Sequence, residues 1–575
     1  MKLTNTMQES YELWTKKATA DPDLTEELSA IAGNEEEIYE RFYRELEFGT
    51  AGLRGIIGAG TNRLNVYTVR KATQGLADFL CATASKPSVA IAYDSRHKSD
   101  TLSMEAASVL AANGIKTYIY AELMPTPMLS YAVRALRCDA GIVLTASHNP
   151  GKYNGFKCYG DDGCQMTDSN AGNVYECISK IDIFAGVKTM DYETARKQGL
   201  VEIISDETME GFYAAVLTQR VQPDIYAETD LKVVFTPLNG TGNKPVREIL
   251  KRAGNTQVLV VKEQEIPDGS FKTCPFPNPE IRQAFALALE LAKTEHPDLL
   301  LATDPDCDRV GIAVPDGAAY RLMSGNEVGC LLLNYLLETR KAQGTLPQNP
   351  LVVKTIVTTE LAARIAEKYG CVLVNVLTGF KYIGEQIGLL EAAGESERYV
   401  FGFEESYGYL AGTHARDKDA VVGALLICEM AAYYKKNGRS LIQVMDDLYR
   451  EYGNYCNGIL NFEFEGAAGM IKMKDMMTVL RENSPSEFDG SAVVRRCDYL
   501  ASVESDMKSG AETEIKLPKS NVLSYFLEGG HCVVVRPSGT EPKLKAYVTA
   551  VGGDLAAAQK KCDELIQAAR ELLEG

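Results

Sequence analysis

Histidine is scarce in this chain, and its cysteines are unpaired. Five histidines occur in 575 residues, none at ligand spacing, and the 14 cysteines are scattered without a Cys-x-x-Cys pair. A zinc site or a thiol nucleophile is therefore not expected. Several cysteines lie in apolar settings (Cys330, Cys428, Cys532), where a thiol behaves as a small hydrophobe, and a reduced, cytoplasmic setting is the simplest expectation. No run approaches the roughly 18 to 20 uninterrupted apolar residues of a membrane span, and the polar stretch Met1 to Ser10 has no signal-peptide core. The Gly-Lys-Ser/Thr of a nucleotide P-loop is missing, and so is the Gly-x-Ser-x-Gly turn of the α/β-hydrolases. Positive charge is also short: 60 Lys and Arg against 78 Asp and Glu leave a formal net charge of −18. That balance argues against nucleic acid as a partner.

What remains is ordinary globular material, 45% hydrophobic and 24% charged, enough for roughly three to five domains. Residues 8 to 47 read as a helical lead-in. Three short β-rich runs then end in polar loops: Ser88 to Asp94, Leu231 to Pro237 and Leu351 to Thr355. Each is followed by a helix-like stretch, Ser99 to Asn113, Asn243 to Ala253 and Thr359 to Tyr369. Strand, loop, helix and strand is the signature of α/β units. The tail differs, with strand-like segments at Tyr455 to Phe464 and Cys532 to Val548 and an amphipathic helix from Leu555 to Leu573. The expected fold is α/β: three related α/β domains followed by a smaller C-terminal α+β domain.

Four polar loops carry candidate chemistry. The apolar run Ala140 to Leu144 stops in Thr145-Ala146-Ser147-His148-Asn149-Pro150, which presents a hydroxyl where open α/β sheets place their chemistry. Asn149 precedes a proline and favours extended backbone, so the loop does not run on into a helix. Asp304-Pro305-Asp306-Cys307-Asp308-Arg309 lies between two apolar runs. Its alternate carboxylates can converge on a hard divalent cation such as Mg²⁺ and leave room for a phosphate oxygen. An EF-hand is excluded, because Arg309 stands at the loop's sixth-position glycine and Pro315 at its twelfth-position glutamate. Gly402-Phe403-Glu404-Glu405-Ser406-Tyr407-Gly408 offers carboxylate and hydroxyl groups to sugar hydroxyls. Arg536-Pro537-Ser538-Gly539-Thr540-Glu541-Pro542-Lys543 combines a planar guanidinium fork with neutral donors, an anion-binding arrangement. Each loop alone also reads as an ordinary turn; the conjunction is what points to phosphoryl chemistry. An acidic chain repels a phosphate ester, so the site must reverse the potential locally. Arg54 in Thr50 to Gly55, Lys157 after Tyr153-Asn154-Gly155-Phe156, Thr378-Gly379-Phe380-Lys381 and His414 to Asp419 supply pieces of that positive field.

In order and spacing the four loops resemble the active-site loops of the α-D-phosphohexomutases, and the resemblance extends from Gly49 into the C-terminal domain. The Gly402 to Gly408 loop with His414 to Asp419 is most similar to the phosphoglucomutase branch, among its bacterial members those resembling the animal phosphoglucomutase-2 group. The resemblance implies four domains around one cleft, with boundaries here set at 1–215, 216–325, 326–445 and 446–575. It implies that Ser147 is the phosphoserine, that Asp304, Asp306, Asp308 and a phosphoserine oxygen hold one Mg²⁺, and that Glu404 and Ser406 hold sugar hydroxyls. Arg536, Ser538, Gly539 and Thr540 would grip the non-reacting phosphate, and Thr378 and Gly379 would meet the sugar. Arg54, Lys157, Arg309 and Lys418 would orient or neutralise the transferring group. The phosphomannomutase/phosphoglucomutase branch has a histidine shortly after its sugar-loop serine; Gly408 and Tyr409 stand here, so the acid/base falls among Lys157, His148 and Lys418. The implied reaction is interconversion of glucose 1-phosphate and glucose 6-phosphate through glucose 1,6-bisphosphate, by a monomer acting on small sugar phosphates. Phosphomannomutase, phosphopentomutase and dual-specificity phosphohexose mutase activities are the alternatives. Serine hydrolase (Ser147 adjoins His148, but the Gly-x-Ser-x-Gly turn is missing), metal-dependent phosphatase and non-catalytic sugar-phosphate sensor are the readings outside the mutases.

Overall fold

The computed structural model describes residues 3–49, 52–464, 466–537 and 543–574. The chain divides into two compact units. One comprises Met1–Met323, Gly384–Tyr399 and Tyr407–Asn437; the other comprises Ser324–Ile383, Val400–Ser406 and Gly438–Gly575.

In the first unit the lead-in is three helices, Asn5–Lys17, Pro22–Ala30 and Glu35–Phe42, and residues 43–49 are not helical. The expected single helical stretch is broken because Asp21 and Asn34 cap new helices, accepting from the Asp23 and Glu37 backbone N–H groups. Trp14, 1% exposed, fastens these helices to the body, its ring meeting those of Phe42, Tyr67 and Phe184 edge-on.

Two sheets of one plan follow. The first runs in the order Gly52–Ile56, Tyr153–Gly160, Ala140–Leu144, Ser88–Tyr93, Lys116–Ile119, Val201–Ile203. Its first two joints are antiparallel and the other three parallel. The second runs Ala319–Met323, Val310–Asp316, Leu299–Thr303, Val233–Thr236, Val258–Val260, again with two antiparallel and then parallel joints. Ala140–Leu144 and Leu299–Thr303 are buried at every residue, as continuous apolar runs inside a sheet must be. Each of these two strands turns back through a short loop into an antiparallel neighbour. One loop carries Ser147 and the other carries the three aspartates, so the repeated plan delivers both to the carboxyl ends of equivalent strands. Helix Asn243–Ala253 buries Val246, Ile249, Leu250 and Ala253 at helical spacing and stops at Gly254, whose φ of 102° a side chain would resist.

In the second unit, helix Gly325–Ala342 starts on a capping box between Ser324 and Glu327. Strands Leu351–Thr355 and Val372–Val376 pair in parallel, with Tyr399–Glu404 on the other side of Leu351–Thr355. The C-terminal sheet is antiparallel, ordered Asn454–Glu463, Lys543–Gly552, Cys532–Pro537, Leu523–Leu527, Ser491–Asp498, Val503–Asp506, Glu512–Glu514. Helices Gly466–Glu482 and Leu555–Glu574 pack on it. Alternation along the strands serves two cores. Val533, Val535, Leu544, Ala546 and Val548 join the core that holds Leu565 and Ala569 of the last helix. Cys532, Val534 and Tyr547 point the other way, into a core with Val357 and Leu377 of the α/β part.

The expected strands and helices, apart from the lead-in and the segment Cys532 to Val548, lie within two residues of those observed; that segment contributes two strands, Cys532–Pro537 and Lys543–Gly552, the second running four residues further. The third helix, expected from Thr359 to Tyr369, is Leu361–Lys368, with Thr359 spent on the preceding loop.

Gly155 fixes how close the serine-bearing strand approaches its neighbours. A Cβ there would meet the carbonyl oxygens of Thr145 at 2.3 Å and Leu53 at 2.9 Å, both rigid backbone atoms. Gly155→Ala is expected to destabilise the first unit by about 1–3 kcal/mol, read as a lowered midpoint in urea with unchanged slope.

Candidate active site

Thr145 ends the buried strand by turning its hydroxyl to Asp94, donating to Oδ2 at 2.6 Å, and by accepting the Ser147 N–H at 2.8 Å. Ser147 then takes a φ of 51°, in the left-handed region where serine is uncommon. This conformation aims Oγ across the sheet boundary: it donates to Asp304 Oδ2 at 3.0 Å and lies 3.3 Å from His148 Nδ1. Asn149 N–H closes a tight turn on the Ala146 carbonyl at 3.1 Å, and the chain enters strand Tyr153–Gly160 without forming a helix.

Beneath the loop lies a residue that sequence reading passes over. Arg96 is 3% exposed. Its Nη1 donates to the carbonyls of Pro150 (3.0 Å) and Tyr153 (2.9 Å), and its Nη2 to those of Ser147 (2.5 Å) and Asn149. Its Nε pairs with Asp94 Oδ2 at 3.3 Å, both side chains fully enclosed. Asp94 Oδ1 is filled by the Arg96 N–H at 2.9 Å and the Ser99 hydroxyl at 2.8 Å.

The aspartate loop folds back on itself. Asp304 Oδ1 accepts the backbone N–H groups of Asp308 (3.1 Å) and Arg309 (3.0 Å), and Cys307 turns the chain at a φ of 53°. Asp306 Oδ2 accepts from Thr126 Oγ1 and from Lys157 Nζ, each at 3.2 Å. Asp308 Oδ2 faces Lys418 Nζ at 3.2 Å and Lys157 Nζ at 4.0 Å. All three carboxylates are buried, and one ligand oxygen from each lies within 4.8 Å of the others. Burial, reinforced by the Asp306 and Asp308 charges, pushes Asp304 well above the ordinary carboxylate range. Burial works on Asp306 too, but Lys157, the hydrogen bond with Asp304 and Lys418 outweigh it and hold Asp306 below that range. Asp306 Oδ1 and Asp308 Oδ1 are buried without a hydrogen-bond partner. Three converging carboxylates with two such oxygens fit a hard divalent cation, because unneutralised charge at this density is costly.

The cations come from separate elements. Lys157 stands in register opposite Val143 on one side and Gly52 on the other. Lys418 also pairs with Asp417 at 3.1 Å, and Asp417 accepts from the Tyr159 hydroxyl at 2.7 Å. Gly408 makes room for the Lys418 stem, since a Cβ there would meet its Cδ at 2.2 Å. Arg309 is tied to Glu280 at 2.6 Å. Arg54 lies opposite Gly155 on the edge strand. Burial, with Arg309 and then Arg54, pushes His148 well below its ordinary value, so its ring is neutral near pH 7.

The second unit brings its own set together. Glu404, at the end of strand Tyr399–Glu404, accepts the Gly379 N–H at 2.9 Å, with Gly379 at a φ of 123°. Thr378 Oγ1 is buried without a hydrogen-bond partner. Glu405 accepts from Thr355 Oγ1 at 3.4 Å, and Ser406 is half-buried beside it. Burial drives the Tyr547 hydroxyl upward, with Glu405 adding to the shift and Arg536 opposing it through its charge and a hydrogen bond. Arg536 is thereby placed in the second unit with the Glu404 and Glu405 carboxylates. Ser538, Gly539 and Thr540, like Thr50 and Ala51, lie outside the described residues.

The sequence reading therefore omits Asp94, Arg96 and Thr126. Asp94 was within its reach, since Tyr93-Asp94 leaves the carboxyl end of a parallel strand; Arg96 was not, because its acceptors lie 51 to 57 residues away. Thr126 carries no such signal; it opens helix Thr126–Ala135 and reaches Asp306 only through the tertiary fold.

Profiles of phosphoglucomutase/phosphomannomutase α/β/α domains I, II and III match residues 45–183, 211–317 and 324–452. The chain belongs to this family, within the α-D-phosphohexomutases. Among named relatives, a phosphoglucomutase of Staphylococcus epidermidis is 39% identical over 519 residues, 89% of this chain and 92% of that one. One from Staphylococcus aureus is 36% identical over 560 residues, 96% and 98% of the two chains. Among solved structures, the fold matches parafusin, a phosphoglucomutase from Paramecium, at a TM-score of 0.67 with 18% identity, over 92% of this chain and 96% of that one. A phosphoglucomutase/phosphomannomutase family protein from Burkholderia thailandensis gives 0.63 at 19% identity, over 92% and 98%.

The raised Asp304 sets a sign for cation binding. Binding requires the carboxylate, so uptake of a divalent cation here would release a proton and weaken as the pH falls. The rise in thermal midpoint on adding Mg²⁺ is expected to be larger at pH 8 than at pH 6, and calorimetry in buffers of different ionisation enthalpy should register the proton. A pH-independent shift would contradict the site.

Proposed function

We propose that this chain is a phosphoglucomutase, an isomerase of the phosphotransferase type that interconverts glucose 1-phosphate and glucose 6-phosphate. The observation that carries the reading is Ser147, strained into a left-handed conformation with Oγ 3.0 Å from a buried aspartate triad. In this reading Ser147 rests as phosphoserine, and Asp304, Asp306 and Asp308 would hold one Mg²⁺ per site together with a phosphoserine oxygen. When bound, the ion would offset charge on the phosphoryl oxygens.

Phosphoserine 147 gives its phosphoryl group to the 6-hydroxyl of glucose 1-phosphate: the Ser147 O–P bond breaks, the O6–P bond forms, and the hydroxyl proton passes to a base. Glucose 1,6-bisphosphate results, which is also the activator that phosphorylates a bare serine. The sugar turns over, Ser147 Oγ takes the phosphoryl from the 1-position, and glucose 6-phosphate leaves. Lys157 and Lys418 flank the aspartates, and Arg309 and Arg54 extend the positive field, so the transferring group meets the charge that such chemistry depends on. Glu404 and Ser406 hold the sugar hydroxyls, and Thr378 and Gly379 meet the sugar. Arg536, Ser538, Gly539 and Thr540 grip whichever phosphate is not reacting, which makes both orientations productive. Neutral His148 at 3.3 Å from Oγ is suited to hold the serine proton, while Lys157 and Lys418 are the candidates on the substrate side. Domain boundaries at 215/216, 325/326 and 445/446, a monomer and a cytoplasmic location complete the proposal. Among the described residues no helix is long and apolar enough to cross a membrane.

Ser147→Ala is expected to lower kcat by at least about 1,000-fold and to abolish the phosphate adduct seen by intact mass. Full mutase activity in that variant would refute the mechanism. Turnover against glucose, mannose, glucosamine and ribose 1-phosphates, with and without glucose 1,6-bisphosphate, should rank glucose first. Release of inorganic phosphate in place of isomer would instead identify a phosphatase.

A further inference from the structure

We infer that Arg96 is the positioning residue that holds Ser147 in its reactive conformation, acting on phosphoryl transfer through the backbone of the serine loop. The inference rests on the reading of Ser147 as the phosphoryl carrier. One guanidinium gathers the carbonyls of Ser147, Asn149, Pro150 and Tyr153, four acceptors within seven residues, and its remaining edge is held by Asp94. The Phe271 ring lies under it, 5.1 Å from guanidinium carbon to ring centroid.

Two consequences follow for the chemistry. A left-handed serine needs its surroundings to over-determine it, and here both sides of the residue are pinned: the N–H by Thr145 and the carbonyl by Arg96. Thr145 and Arg96 both answer to Asp94, so one carboxylate sets both anchors. The loop's carbonyl dipoles are also drawn inward onto a cation, which keeps their negative ends off the phosphoryl group. A lysine cannot replace this arrangement, because one ammonium nitrogen does not span the four carbonyls and the carboxylate that a planar fork reaches.

The full-length protein carrying Arg96→Lys, and separately Arg96→Ala, tests the inference. In folded protein kcat is expected to fall at least about 100-fold, as for an ångström-scale misplacement of a reacting atom. Phosphorylation of Ser147 by glucose 1,6-bisphosphate should slow in step, with KM for glucose 1-phosphate held within about threefold. Guanidinium ion at millimolar concentration should restore part of the activity of Arg96→Ala and none in Arg96→Lys, a response that general loosening of the fold would not give. Phe271→Leu is the milder variant should both arginine variants fail to fold: a loss in kcat at constant KM supports the clamp, and unchanged kcat overturns it. Turnover within threefold of wild type in either folded arginine variant, or a loss confined to KM, also overturns it. Wild type run in parallel separates the two readings. If it neither interconverts glucose phosphates nor carries phosphate on Ser147, the mutase assignment fails; if it does both and the Arg96 variants match it, only the clamp fails.

Discussion

Concentrated negative charge is the constraint this site has to meet. The chain is acidic overall, yet three buried carboxylates stand together within reach of a serine hydroxyl. The protein supplies part of the answer with Lys157 and Lys418, from elements distant in sequence, and with Arg309 of the aspartate loop itself. The remainder shows in how unequally the aspartates respond: Asp306, beside the lysines, is held low, while Asp304 is driven up. Such splitting is what crowded carboxylates do when total neutralisation falls short. A divalent ion is the group that would remove the inequality.

Placement of serine and aspartates follows from one architectural device used twice. In both sheets a buried parallel strand ends at a polar loop and returns antiparallel, Ala140–Leu144 into Tyr153–Gly160 and Leu299–Thr303 into Val310–Asp316. The short return keeps each loop tight, and tightness is what permits the positive φ values at Ser147 and Cys307. A longer connection would leave these loops free to relax into ordinary turns.

The strands, the helices and the two chemical loops were legible because each declares itself locally: an apolar run, a break, a cluster of one residue type. Ser147 and the aspartates sit at such breaks. The helical lead-in was read too coarsely because composition outweighed capping, although Asp21-Pro22 and Asn34 are themselves stop-and-start signals. Arg96 was hidden for a different reason. In sequence it belongs to Ser95-Arg96-His97-Lys98, which reads as a solvated turn, and its four acceptors lie 51 to 57 residues away. Thr126 was less visible still, its partner being 180 residues distant. Contacts of that range depend on strand order, which no single segment encodes.

The hydrogen bond from Ser147 Oγ to Asp304 Oδ2 joins these points. Burial, reinforced by the Asp306 and Asp308 charges, drives Asp304 upward, and its other oxygen is already committed to two backbone N–H groups. A neutral hydroxyl aimed at that oxygen relieves it slightly; a phosphoryl group on the same serine would do the reverse and oppose it with negative charge. In the proposed mechanism phosphorylation and cation binding would be linked by electrostatics in this geometry, since the added negative charge would draw the cation and the cation would offset that charge. The strained backbone of Ser147 fixes the direction of Oγ and so keeps that linkage from being lost to a simple rotation of the loop. The linkage is a property of where the residues stand, and it holds whichever group carries the proton.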